Sequence, residues 1–188
     1  DSNVPFVSDY VPETKGTLYE NSSFKDLINM KAGDTNFASR KAGSATFIYA
    51  GQVVQKKKTV KEYLASSSNL KTTKKVFNYN YFLTDLVARA IDTKSSGGLK
   101  KAYQDFANKA GTSSEIFFII DDNGWPLLHA WTYATREDFL KLGIQVSKDW
   151  NSNTCIGDYL KNIESMKDKS DNKNSKYSGY FWYCLLYT

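Results

Sequence analysis

"EIFFIIDDNGWPLLHAWTYATREDFLKLG", residues 115–143, is the stretch that decides how this chain is read. "EIFFIID" is a short, nearly continuous apolar run, the pattern of a strand buried on both faces. "DDNG" supplies a hairpin turn. "WPLLHAWT" returns as a second strand over 125–132, where Pro126 suits only a strand start or an edge. Thr135 then caps a helix over 135–142 with Phe139, Leu140 and Leu142 turned inward. The stretch therefore predicts strand, tight turn, strand, helix.

Upstream, "LKKAYQDFANKAG" is the clearest helix. Leu99, Ala102, Tyr103, Phe106, Ala107 and Ala110 recur at helical spacing, and Gly111 stops it. "YFLTDLVARAI", residues 81–91, places Phe82, Leu86, Val87, Ala90 and Ile91 on one face, and "DTKSSGG" breaks the chain after it. "KKVFNYNY" predicts a strand over 74–80, and "SATFIYAG" another over 44–50, ended by Gly51. Thr59 and Glu62 have the spacing of a capping box, so a short helix is expected over 59–65. "SSFKDLINM" is a short helix capped by Ser22 or Ser23, with Phe24, Leu27 and Ile28 as its apolar face. "KAGDTNFASRKAG" reads as a loop, and residues 1–21, with Pro5 and Pro12, as an extended arm.

Downstream, residues 151–167 form an amphipathic helix through Ile156, Tyr159, Leu160, Ile163 and Met166. "DKSDNKNSKYSG" reads as a polar, flexible linker, and the chain closes on the apolar "YFWYCLLYT". Three segments result: an arm and short helix over 1–43, a core over 44–150, and a C-terminal helix, linker and tail over 151–188.

With 188 residues and 15% aromatics, the chain can bury a sizeable core. Its net charge of +5 favours acidic surfaces, including anionic membranes and cell envelopes, but is too diffuse to argue for nucleic acid. No apolar run reaches the roughly 18 residues a membrane helix needs. A start at Asp1 is consistent with a mature secreted protein whose signal has been removed. In such a chain two cysteines, Cys155 and Cys184, suggest one disulfide. Closing its loop of roughly 30 residues would contribute about 3–4 kcal/mol.

The order of elements over about residues 40–143 resembles a thioredoxin-like fold, as in the thioredoxin-like accessory proteins found with bacteriocin operons. That chemistry needs Cys-x-x-Cys after the first strand, where a helix N-terminus lowers the thiol pKa. Here "TFIYA" is followed by "GQVVQKKKTV", and "GTSSEIFF" offers Ser113 and Ser114 where the family places a proline. The resemblance implies a redox-silent α/β scaffold: a central sheet, flanking helices and a disulfide-linked apolar tail.

Other chemistries find little. The single histidine, His129, alternates with Leu127 and Trp131 and reads as an inward, structural side chain. Any Ser-His-Asp or Cys-His arrangement would have to use it. Asp121 and Asp122 are explained by a turn, Gly97 and Gly98 by a linker, and no His, Cys or carboxylate cluster suggests a metal. Paired carboxylates for glycoside hydrolysis stay open, because their separation is spatial. The expectation is a protein with no catalytic, cofactor-binding or metal residues.

Size, basic charge, the cysteine pair and the tail together resemble dysgalacticin-type large secreted bacteriocins. That resemblance implies a secreted, non-enzymatic antibacterial protein acting on the membrane, or on a membrane sugar transporter, of a related bacterium. Its partners would be a cell-envelope or membrane protein and an anionic membrane surface. Tyr180, Phe181, Trp182, Tyr183, Leu185 and Leu186 would be the contacting tail, held by a Cys155–Cys184 disulfide. The alternative is a redox-inactive thioredoxin-like accessory or chaperone that binds an extended peptide. Either way, Trp125 and Trp131 are expected to be buried.

Overall fold

The computed structural model describes residues 5–32, 45–68, 75, 77–165, 168–169, 175–179 and 181–184. Seven helices lie among them: α1 Phe24–Ile28, α2 Ala45–Val54, α3 Val60–Ala65, α4 Tyr81–Lys94, α5 Gly98–Ala110, α6 Arg136–Trp150 and α7 Cys155–Ser165. The strands are β1 Phe117–Ile120, β2 Pro126–Tyr133, β3 Asp168–Lys169, β4 Ser175–Ser178 and β5 Phe181–Cys184. They form two separate antiparallel sheets, β1-β2 and β3-β4-β5. None of the helices is long and apolar enough to cross a membrane.

α4 is the centre of the packing and lies against α1, α2, α5 and β2. Asn80 starts it: its side-chain oxygen accepts from the Phe82 amide at 2.9 Å, satisfying one of the donors a helix start leaves open. Phe82, Leu83, Leu86 and Ala90 are then buried. The Phe82 ring meets Tyr19, Tyr49 and Tyr63 at centroid distances of 5.1, 5.3 and 5.5 Å. Such aromatic contacts each add roughly 0.5–1.5 kcal/mol beyond area burial.

Several expectations hold at the level of local chemistry. The Thr59–Glu62 capping box opens α3, and Ser23 caps α1. Gly111 ends α5 in the left-handed region at φ 73°. Pro126 begins β2, and Thr135 accepts from the Asp138 amide at the start of α6. Asp121 organises the hairpin turn, its Oδ1 accepting from the amides of Asn123 at 2.8 Å and Trp125 at 2.9 Å.

The thioredoxin-like expectation fails. Residues 45–54 are helix α2, not a strand, and residues 77–80 form no strand. Among the described residues β1 and β2 therefore have no parallel neighbour, and no central parallel sheet is formed. The error has a physical source. An apolar run rich in aromatic and β-branched residues fits a buried strand and a buried helix equally. Only the spacing of Thr46, Tyr49 and Val53, the residues of α2 that are buried, marks the helix. Gly51 sits inside α2 with open space beyond it and breaks nothing.

The ends of the chain also differ from expectation. The N-terminal arm is not extended. It forms two 3-10 turns, Val7–Asp9 and Pro12–Thr14, and adds Val7, Val11, Leu18 and Tyr19 to the main core. The expected flexible linker carries β3 and β4. Tyr177 of β4 is buried against the rings of Phe77 and Tyr79 at 5.4 and 5.8 Å. Cys155 is a free, exposed thiol, so the tail is not disulfide-linked. The tail instead pairs as β5 with β4, which places Cys184 opposite Ser175.

α6 is rotated from its expected orientation. Phe139 and Leu140 are 49% and 64% exposed, whereas Asp138, Gln145 and Asp149 face inward. Polar anchors set this rotation. Asp138 accepts from the Ser113 amide at 2.8 Å and from the Ser113 and Ser114 hydroxyls, and Asp149 pairs with Lys109 at 2.7 Å. In α7, Leu160 and Ile163 are buried, but Ile156 and Tyr159 are exposed.

Candidate functional site

The site grows from an irregularity in the β1-β2 hairpin. Phe117 and Phe118 pair with Tyr133 and Thr132, and then Ile119 and Ile120 pair with Leu127 and Pro126. Residues 128–131 of β2 are thus skipped by β1, and their main chain needs other partners. Asp85 of α4 supplies one. Its Oδ1 accepts from the amides of Leu128 at 2.9 Å and His129 at 3.3 Å. Its Oδ2 accepts from the Tyr49 hydroxyl of α2 at 2.5 Å and lies 2.7 Å from His129 Nδ1. One carboxylate therefore ties α2, α4 and β2 together. Both the Asp85 and His129 side chains are fully shielded from solvent.

Because a carboxylate oxygen accepts, Nδ1 of His129 is assigned as the donor in this pair. In the neutral ring Nε2 then carries the lone pair. Nε2 is buried and has no hydrogen-bond partner. The imidazole is held between two phenols: Tyr81 stacks on it at 5.6 Å and 22°, and Tyr49 lies 5.6 Å away at 51°. Burial, and then the Asp85 charge, hold the Tyr49 phenol well above its ordinary pKa, so Tyr49 acts as a donor. The N-terminus of α4 joins the cluster as well, since the Tyr81 amide donates to Thr46 Oγ1 of α2 at 3.1 Å. An oriented imidazole with a bare nitrogen is the arrangement a proton acceptor needs.

His129 is inward, as its strand position predicts, and it has a charged partner that the sequence reading missed. The available signal was Asp85 itself, an acidic residue between Phe82 and Leu86 on the apolar face of α4. Tyr49 was hidden by the reading of α2 as a strand. Of the proposed contact tail, Phe181 is exposed on β5. Tyr180, Leu185 and Leu186 lie outside the described residues, as do the side chains of Trp182, Tyr183 and Cys184. Trp125 is buried, with the Arg89 guanidinium 5.1 Å from its ring centroid, while the Trp131 side chain lies outside the described set.

Among solved structures the chain is similar to one described as "Putative 6-aminohexanoate-dimer hydrolase from Bacillus anthracis". The TM-score is 0.69 at 15% identity, covering 95% of this chain and 51% of that one, so the likeness is one of fold. This chain spans about half the length of that structure. No family model matches the sequence, and no curated protein matches it. The likeness removes the thioredoxin-like assignment. That neighbour is described as a putative hydrolase, which stands against the expectation of a non-enzymatic protein.

Proposed function

We infer that the chain belongs to a hydrolase acting on an amide bond, with His129 as the proton acceptor. The observation that carries this reading is the buried Asp85–His129 pair with its bare Nε2. In support, the fold neighbour is described as a putative 6-aminohexanoate-dimer hydrolase, and such a dimer is joined by an amide. In this scheme Nε2 takes a proton from an attacking water as the C–O bond forms. The same proton passes to the departing nitrogen as the C–N bond breaks. Asp85 fixes the ring and balances its transient charge. The His129 and Asp85 side chains are shielded from solvent, so the scheme requires the cover over the ring to open and admit the reactants.

The test is release of 6-aminohexanoate from its linear dimer by the purified chain. His129→Gln should lower the rate by about 10²–10⁴-fold. Absence of hydrolysis, or a rate unchanged in that variant, overturns the reading. The antibacterial reading rests on sequence character, namely size, basic charge, the cysteine pair and the apolar tail, and growth inhibition of related bacteria by the same preparation tests it.

A further inference from the structure

We propose that the outer edge of β1 and the cleft beside it bind an extended peptide carrying a basic residue, as an added strand. This site is separate from the His129 cluster and does not depend on the hydrolytic reading. β1 pairs only with β2, so among the described residues its other edge is open. Alternate amides and carbonyls along such an edge point outward and call for partners. Edges of this kind are normally blunted by a lysine, a proline or an inward charge. Residues 117–120 read Phe-Phe-Ile-Ile and contain none of these. Phe117 and Ile120 are instead 57% and 56% exposed.

A cleft of about 320 Å³ runs along the strand, walled by Ile116, Phe117, Phe118, Ile120 and Pro126. That volume falls at the small end of the roughly 300–1,000 Å³ range of ligand sites, enough for one or two side chains. Its charged lining is Asp92, Glu115 and Lys100, two carboxylates against one ammonium. Asp92 is committed: it accepts from the Leu99 amide at 3.0 Å and lies 3.4 Å from Arg89 Nη1. Among the described residues Glu115 pairs with Lys100 at 3.2 Å, and the pair is exposed on both sides. Such a surface pair is weak and exchanges readily for a ligand's cation. Main-chain pairing would supply affinity, and the cleft with Glu115 would supply the choice of side chains.

The test measures binding of short fluorescent peptides to the full chain. The set alternates Lys with Val, alternates Glu with Val, or repeats the Lys-Val sequence with alternate amides N-methylated. The Lys-Val peptide should bind best and the N-methylated peptide should fail. Glu115→Lys, at an exposed position, should shift the preference toward the Glu-Val peptide by about fivefold. Ile120→Lys, which charges the edge, should abolish binding of both unmethylated peptides. Equal binding of the three peptides, or no binding of any, overturns the proposal. So does sedimentation showing a concentration-dependent dimer that Ile120→Lys dissolves, because the edge would then belong to a second copy of this chain.

Discussion

Asp85 shows how much one side chain can organise. It accepts from the Tyr49 hydroxyl, two amides of β2 and the His129 ring, all away from water. Asp85→Ala would strand these donors in a dry interior. We expect a loss of about 3–5 kcal/mol, the usual cost of breaking a buried charged network. Tyr49→Phe removes one donor and should cost about 1 kcal/mol. Urea unfolding of the two variants checks the order, and a smaller loss for Asp85→Ala would contradict the network. Other carboxylates set the response to acid. Hydrogen bonds from the Ser114 hydroxyl and then the Ser113 amide hold Asp138 well below the usual carboxylate range. The bond from the Lys109 ammonium lowers Asp149 as well. For Asp26, burial pushes upward, but the bonds from Lys75 and Ser23 outweigh it and the net shift is downward. A carboxyl with a depressed folded pKa contributes stability above its unfolded value, about 3.9. That contribution is lost as pH falls through the folded value. Stability should therefore decline below about pH 4, and Asp138→Asn should flatten the decline when unfolding is followed across that range.

Among the elements, those with end signals were legible. Thr59–Glu62, Ser23, Gly111 and Thr135 declare their helices through donors and acceptors close in sequence. Ser44, directly before α2, is a residue type suited to a cap, but no Glu or Gln follows it three residues on, and the composition of α2 suits either state. The rotation of α6 was equally hidden, since it follows from Ser113, Ser114 and Lys109, which lie outside that helix. The corner between α6 and α7 gives a direct test. A Cβ on Gly157 would lie 2.2 Å from the Ser152 carbonyl oxygen and 2.7 Å from that of Asp149. Both obstacles are backbone, so the corner would have to open. Gly157→Ala should cost about 1–3 kcal/mol, as overpacking does, and a thermal melt reads it. An unchanged melting temperature would mean that α7 docks less closely than described.

At the scale of the whole molecule, Cys155 bears on how the C-terminal part is held. It is free and exposed, while the tail is fixed by β-pairing and by Asn29, whose Oδ1 accepts from Ser178 Oγ and the Gly179 amide, both at 3.1 Å. Cys155 should therefore react promptly with a maleimide in the native protein, and a reductant should leave the melting temperature unchanged. Slow labelling, or a melt lowered by reduction, would restore the disulfide. The Asp85 cluster also has a temporal meaning. Its donors stand 36, 43 and 44 residues from the carboxylate, so no local segment can assemble it. Loops of that length must close before any of these bonds can form, so we expect the cluster to complete after the folding transition state, which chevron kinetics of Asp85→Ala would show as faster unfolding with a nearly unchanged folding rate. An interaction formed that late acts on escape from the native state rather than on the search for it. Asp85 is thus a latch: the protein would find its shape at nearly the same speed without it, and keep that shape for less time.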